Sequence, residues 1–230
     1  MLDNENIARL ELIADGMGEL VDKMVFLGGS VTNLYIDDPA AEHIRPTMDV
    51  DCIVEVKNKP AFHKLEEELR QKGFCHCTES GAPVCRWVYK DILVDIMPVD
   101  ECILGFANRW YSEGIRNSQK VQLPGGQVIF VLKLPYFIAT KIEAYYGRGE
   151  RDFRISHDIE DIINVLDGVL TFEDFTDLPD SLKSYLIEKV SVFLDNPQFI
   201  ESISSNIEFA QPSPGRVRRI INFLRAYVRS

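Results

Sequence analysis

Three aspartates stand where a strand would ordinarily carry apolar side chains. Asp49 and Asp51 lie one residue apart in MDVDCIVEV, and Asp95 interrupts a second apolar run, DILVDIMPV. Side chains two apart on a strand share a face. Asp49, Asp51 and Ile53 therefore point one way, and Val50, Cys52 and Val54 point into the other layer. Keeping such carboxylates charged is costly unless something pairs with them, and two side by side repel each other. A divalent cation would remove both problems, because hard oxygen ligands are what Mg²⁺ prefers. Ion pairs to arginines, or exposure at the strand ends, would serve the electrostatics equally well. With Asp95 added, three carboxylates on two neighbouring strands make a donor set for two metals about 3.5–4 Å apart that clamp the attacking and leaving oxygens.

A second chemical feature precedes the first aspartate. The stretch VFLGGS runs from an apolar strand into Gly28, Gly29 and Ser30. Glycines at a strand-to-helix turn let backbone N–H groups approach a phosphate at the positive end of a helix. Ser30 is a suitable cap for a helix running on through Tyr35. An ordinary tight turn is the alternative. No Gly-Lys-Ser/Thr follows, and the third glycine of a dinucleotide fingerprint is absent.

The elements that must position these groups alternate between helix and strand. Helical spacing covers Asn6 to Asp22, with Ile7, Leu10, Leu12, Ile13, Met17 and Leu20 as its apolar stripe. Met24 to Leu27 reads as a short buried strand, residues 36–46 as a proline-containing loop, and Asp49 to Val56 as the next strand. Ala61 to Lys72 is a polar-faced helix that Gly73 ends. Cys85 to Tyr89 and Ile92 to Met97 flank the tight Lys90-Asp91 turn and form a hairpin. Val121 to Val131 holds strand pieces around Pro124-Gly125-Gly126. After Pro135 the pattern is helical: Tyr136 to Tyr146, Asp158 to Leu166, Ser181 to Leu194 and Pro214 to Val228. The expected class is α+β, with a mixed sheet flanked by helices over residues 1–132 and a C-terminal helical domain over 133–230, packed on the active-site side.

Composition narrows the remaining classes. A net charge of −11 argues against a surface coated in nucleic acid. The charge is uneven: His157 to Asp180 holds eight acids and no Lys or Arg, whereas Gln211 to Ser230 holds five arginines and no acids. Those arginines read either as a contact face or as internal neutralisation of the acidic stretch. Five cysteines without the density of a disulfide framework read as reduced thiols, and Cys75-His76-Cys77 lacks the paired spacing of a zinc site. No apolar run is long enough to span a membrane, and the acidic N-terminus lacks the features of a signal peptide. The cytoplasm is the expected location.

Taken in order, strand, Gly-Gly-Ser, helix, Asp-x-Asp and a later lone Asp resemble the nucleotidyltransferase superfamily, the polymerase-beta-like fold. The segment FIATKIEAYYGRGERDFRISHDIEDIINVLDG, residues 137–168, is similar to the downstream part of AbiEii/AbiGii-type nucleotidyltransferases. That group includes toxins of toxin–antitoxin and phage-defence systems. The resemblance implies that Gly28, Gly29 and Ser30 hold nucleotide phosphates. It implies that Asp49, Asp51 and Asp95 bind Mg²⁺ (or Mn²⁺), with Asp95 as base toward the acceptor. Arg45 and Thr47 fall at the polar lead-in to the carboxylates. Lys141 and Asp158 match a lysine on one helix and the acid opening the next.

The implied reaction moves a nucleoside monophosphate from an NTP to a hydroxyl. The acceptor would be the end of a tRNA or other RNA, a protein side chain, or a small molecule of the aminoglycoside type. An antitoxin partner belongs to the same picture. A nucleotide-binding regulatory module with little turnover is the alternative. Two features depart from the group: a long interval between Ser30 and Asp49, and His157-Asp158 where Lys-Asp is usual.

Overall fold

Asn4 opens the first helix by accepting hydrogen bonds from the backbone N–H groups of Asn6 and Ile7, and Gly18, at φ +53°, ends it. Between them α1 (Glu5–Met17) turns Asn6, Leu10, Ile13, Ala14 and Met17 inward. The helix stops five residues before the expected Asp22, because Gly18 takes a left-handed conformation and the chain continues as a 3₁₀ turn over Gly18–Lys23. The computed structural model describes residues 4–41, 44–149, 152–208 and 214–230. Arg151, one of the loop arginines in GRGERDFR, lies outside the described residues.

The chain divides into two units. The first comprises Met1–Leu34 with Arg45–Lys133, and the second Tyr35–Ile44 with Leu134–Ser230.

The first unit is built on a mixed seven-stranded sheet of order β3-β4-β5-β2-β1-β7-β6. Its strands are β1 (Met24–Leu27), β2 (Asp49–Val54), β3 (Cys75–His76), β4 (Arg86–Tyr89), β5 (Ile92–Pro98), β6 (Gln119–Gln122) and β7 (Val128–Val131). β1 runs antiparallel to β2 and parallel to β7, while β2 runs parallel to β5. Helices α2 (Lys59–Gln71), α3 (Glu101–Leu104) and α4 (Tyr111–Arg116) complete this unit. Phe26, Val50, Cys52, Trp87, Val94 and Ile96 are buried in its core. Trp110, a candidate base-stacking residue from its setting in FANRWY, is also buried.

The second unit is helical, with α5 (Leu134–Gly147), α6 (His157–Gly168), α7 (Asp180–Leu194), α8 (Pro197–Glu208) and α9 (Pro214–Val228). Tyr145, Phe153, Phe193 and Phe199 form an aromatic cluster, with ring centroids 5.0–5.9 Å apart. Residues from the long interval before Asp49 belong to this unit. Asp37 and Asp38 donate their backbone N–H groups to the Gly168 carbonyl, and Ile36 packs on Gly168 so closely that a β-carbon there would meet it at 2.5 Å.

Arg216 of α9 holds Asp167 through two nitrogens, at 2.8 and 3.0 Å, and Asp38 at 2.8 Å. Arg219 donates to the carbonyls of Leu166, Asp167 and Val169 at the end of α6, where a cation complements the helix dipole. Two of the five C-terminal arginines are therefore engaged in neutralising the acidic segment internally. No helix among the described residues is long and apolar enough to cross a membrane.

Candidate active site

The β4–β5 hairpin fixes the geometry of the carboxylates. Lys90 and Asp91 both take positive φ, 45° and 65°, as a two-residue turn of the type matching strand twist requires. Tyr89 then pairs with Ile92, and each step outward sets the next pair until Arg86 lies opposite Asp95. On the other side, β5 pairs with β2 so that Asp95 lies in register with Asp51. Asp51 is in turn opposite Leu27, the last residue of β1. Asp49, Asp51, Asp95 and Arg86 consequently share one face of the sheet, on three adjacent strands.

Arg86 is the cation within this cluster. Its Nε donates to Asp95 Oδ1 at 2.8 Å and its Nη2 to Asp95 Oδ2 at 2.7 Å, while Nη2 also reaches Asp49 Oδ2 at 2.9 Å. Two-pronged charge-assisted bonds of this kind are the strong class. They raise the Arg86 pKa, chiefly through the hydrogen bonds to Asp95. Asp95 is buried, and Asp49 keeps a third of its side-chain surface exposed. Beneath the site, burial pushes the Cys52 thiol well up, with Asp51 and Asp95 adding to the effect. Burial, then Asp95, raises Cys85 to about 12.

The glycine turn closes on the same cluster. Gly28 sits at φ +75°, and a β-carbon there would stand 2.7 Å from Asp51 Cγ, with Oδ2 nearer still. The turn backbone and the Asp51 carboxylate are thus in direct apposition, which only glycine permits. The segment after it is a seven-residue 3₁₀ run, Gly29–Tyr35, and not the expected α-helix, so it brings no extended helix dipole. Ser30 is fully buried and its hydroxyl donates to the Leu27 carbonyl at 3.4 Å. Gly28→Ala is expected to destabilise the protein by about 2 kcal/mol or more through the left-handed backbone and the clash with Asp51, as urea denaturation would measure.

A brace absent from the sequence reading sets the start of β2. Asn6 of α1, 1% exposed, accepts from the Thr47 N–H at 2.8 Å and from the Thr47 hydroxyl at 3.3 Å. Its amide nitrogen donates to the Arg45 carbonyl at 3.2 Å and to Asn33 Oδ1 at 3.3 Å. The Thr47 hydroxyl also donates to the Asp49 carbonyl at 3.1 Å, and Arg9 donates to the Thr47 carbonyl. Arg45 and Thr47 thus place the strand that carries the aspartates.

Lys141 and Asp158 meet each other in the second unit. Lys141 Nζ lies 3.1 Å from Asp158 Oδ1 and 2.6 Å from Asp161 Oδ2, and Arg148 Nε lies 3.2 Å from Asp158 Oδ2. His157 pairs with Glu160 at 3.0 Å. Arg154 holds Asp152 at 2.8 Å and lowers its pKa to about 2.

Among the described residues no group of three or more His, Cys, Asp or Glu is placed to hold a metal ion. The Arg86 guanidinium bridges Asp49 and Asp95. Asp49 and Asp51 still offer the hard oxygens that Mg²⁺ takes in ones and twos when substrate phosphates supply the rest. His76 of the Cys-His-Cys run stacks on Trp87 at 3.7 Å and approaches Glu66 at 3.2 Å, and all five cysteines are free.

No protein-family model and no curated protein matches the chain. It is similar to a solved structure described as a "putative nucleotidyltransferase from H. pylori". The two share 11% sequence identity and a TM-score of 0.47, and the match covers 99% of this chain and 96% of that one.

Proposed function

We propose that the protein is a metal-dependent nucleotidyltransferase. The observation that carries this reading is the apposition of Gly28 and Asp51, which brings a strand–glycine turn against in-register carboxylates on β2 and β5. That arrangement would offer backbone N–H groups to a triphosphate and carboxylates to its counter-ion. Asp49 and Asp51 would hold Mg²⁺ or Mn²⁺, which when bound draws charge from the phosphoryl oxygens. Gly28 and Gly29 would receive the phosphates. The acceptor hydroxyl oxygen bonds to the α-phosphorus, and the bond from that phosphorus to the bridging oxygen breaks. The electron pair leaves with pyrophosphate, and the hydroxyl proton passes to water. Most of the acceleration would come from positioning and charge stabilisation.

The acceptor is read as the end of a tRNA or other RNA, or a protein side chain, on the resemblance of residues 137–168 to the AbiEii-type group. A toxin or phage-defence role with an antitoxin partner belongs to the same reading. The test is incubation of the purified protein with Mg²⁺, each α-labelled NTP, total RNA and a protein extract. Label on RNA or protein with the wild type, and none with Asp49→Asn/Asp51→Asn, is the expected result. Equal behaviour of the two proteins would sink the reading.

A second reading, a nucleotide-binding module with little turnover, is favoured by the hold of Arg86 on Asp95, which neutralises part of the cluster from within. It predicts nucleotide binding without label transfer to any acceptor.

A further inference from the structure

We propose that Arg86 takes the place of one of the two cations at the carboxylate cluster, so that the site binds a single divalent metal ion per chain. This rests on the transferase reading and goes beyond it, because three carboxylates on two strands otherwise call for two metals. Both oxygens of Asp95 accept from Arg86, at 2.8 and 2.7 Å, and one oxygen of Asp49 accepts from it at 2.9 Å. A guanidinium that bridges a carboxylate on β2 to one on β5 does what a shared cation would do there.

The placement is built into the sheet. The two-residue turn at Lys90-Asp91 fixes Arg86 opposite Asp95, and the β2–β5 pairing fixes Asp95 beside Asp51. Asp95 would enter a metal shell only by giving up two short charge-assisted bonds, and its side chain is 11% exposed against 22% for that of Arg86. Departure of the arginine would therefore strand a carboxylate in poorly hydrated surroundings. The three carboxylates carry three formal negative charges and Arg86, bridging Asp95 and Asp49, supplies one positive charge. One cation on Asp49 and Asp51, its other positions filled by water until nucleotide phosphates replace some of it, meets most of the remaining charge.

The experiment is titration of the full chain with Mn²⁺ alone, reading free Mn²⁺ by electron paramagnetic resonance. The wild type is expected to take up one Mn²⁺, Asp95→Asn to retain that one, and Arg86→Met to gain a second. Two Mn²⁺ on the wild type would show that the arginine yields to metal and would overturn the proposal, as would loss of uptake in Asp95→Asn. If circular dichroism shows Arg86→Met unfolded, the Asp95→Asn arm decides alone. Absence of Mn²⁺ uptake by the wild type, together with absence of label transfer, would remove the transferase reading and this proposal with it. Two Mn²⁺ with transfer intact would remove only the proposal.

Discussion

On the proposed transferase reading, Asp51→Asn is expected to lower nucleotidyl transfer by about 10²–10³-fold, the range found when one preorganised charge-stabilising group is removed from a site. Asp51 occupies the position where the elements meet. It is in register with Leu27 on one side and Asp95 on the other, and its carboxylate covers the backbone of Gly28. The substitution keeps the volume of the side chain, so the glycine turn keeps its neighbour, and circular dichroism is expected to match the wild type. Loss of transfer in a folded variant would then report the charge and not the packing. Asp95→Asn should behave differently. It weakens a two-pronged bond to Arg86, and hydrogen bonds to charged groups contribute about 1.5–3 kcal/mol. Its unfolding midpoint in urea is expected to fall, where that of Asp51→Asn changes little. Transfer by Asp51→Asn at the wild-type rate would assign the aspartates a structural role.

The sequence already held the means to find Arg86. Once Lys90-Asp91 is taken as a two-residue turn, Tyr89 pairs with Ile92 and counting outward places Arg86 against Asp95. Ion pairs to arginines stood as an open alternative for the aspartates, and the hairpin names the arginine. The strands with strong apolar runs, β1, β2, β4 and β5, lie within two residues of their expected limits, because a buried strand needs a continuous run and these have one. The mixed sheet flanked by helices, with a helical region after it, follows from the same patterns. Short elements escaped: β3 has two residues, α3 four and α4 six, too few to show a period. In α8 the run of Ser202, Ser204, Ser205 and Asn206 hid a helix in which Ser202 is fully buried and bonds back to the Gln198 carbonyl.

The inward face of α1 keeps Leu10, Ile13 and Met17 of the expected stripe and adds Asn6 and Ala14. Ile7, the first residue of that stripe, is half-buried, whereas the neighbouring Asn6 is buried. A polar residue is placed inward only when its hydrogen bonds are met, and those of Asn6 are met by residues 33, 45 and 47. Such partners are distant in sequence, and no local pattern announces them. The interval between Ser30 and Asp49 was long for the same kind of reason. Part of it leaves the first unit, with Asp37 and Asp38 bonding to Gly168 and Asp38 to Arg216.

Lys141→Met is expected to cost about 3–5 kcal/mol of stability, the range for removing one partner of a buried ion pair. Lys141 is 9% exposed, and the carboxylates it serves, Asp158 and Asp161, are 4% and 0% exposed. Those acids lie three apart on α6, so they emerge on one face of the helix and the lysine of α5 reaches both, at 3.1 and 2.6 Å. Methionine fills the volume but leaves two carboxylates together in a dry setting. Arg148 offers little relief, since its side chain is 73% exposed and among the described residues it pairs with Asp158. Adding Asp161→Asn to Lys141→Met should return part of the loss, because it removes one of two neighbouring buried negative charges. Urea denaturation of the two single variants and the double variant gives the coupling directly, and neighbouring residues of this kind couple by about 0.5–3 kcal/mol. Strict additivity, with Lys141→Met near wild-type stability, would show that the lysine is held for a ligand's phosphate and not for the fold. A large coupling would show that the second unit depends on this network to join α5 to α6, whatever else Lys141 contacts.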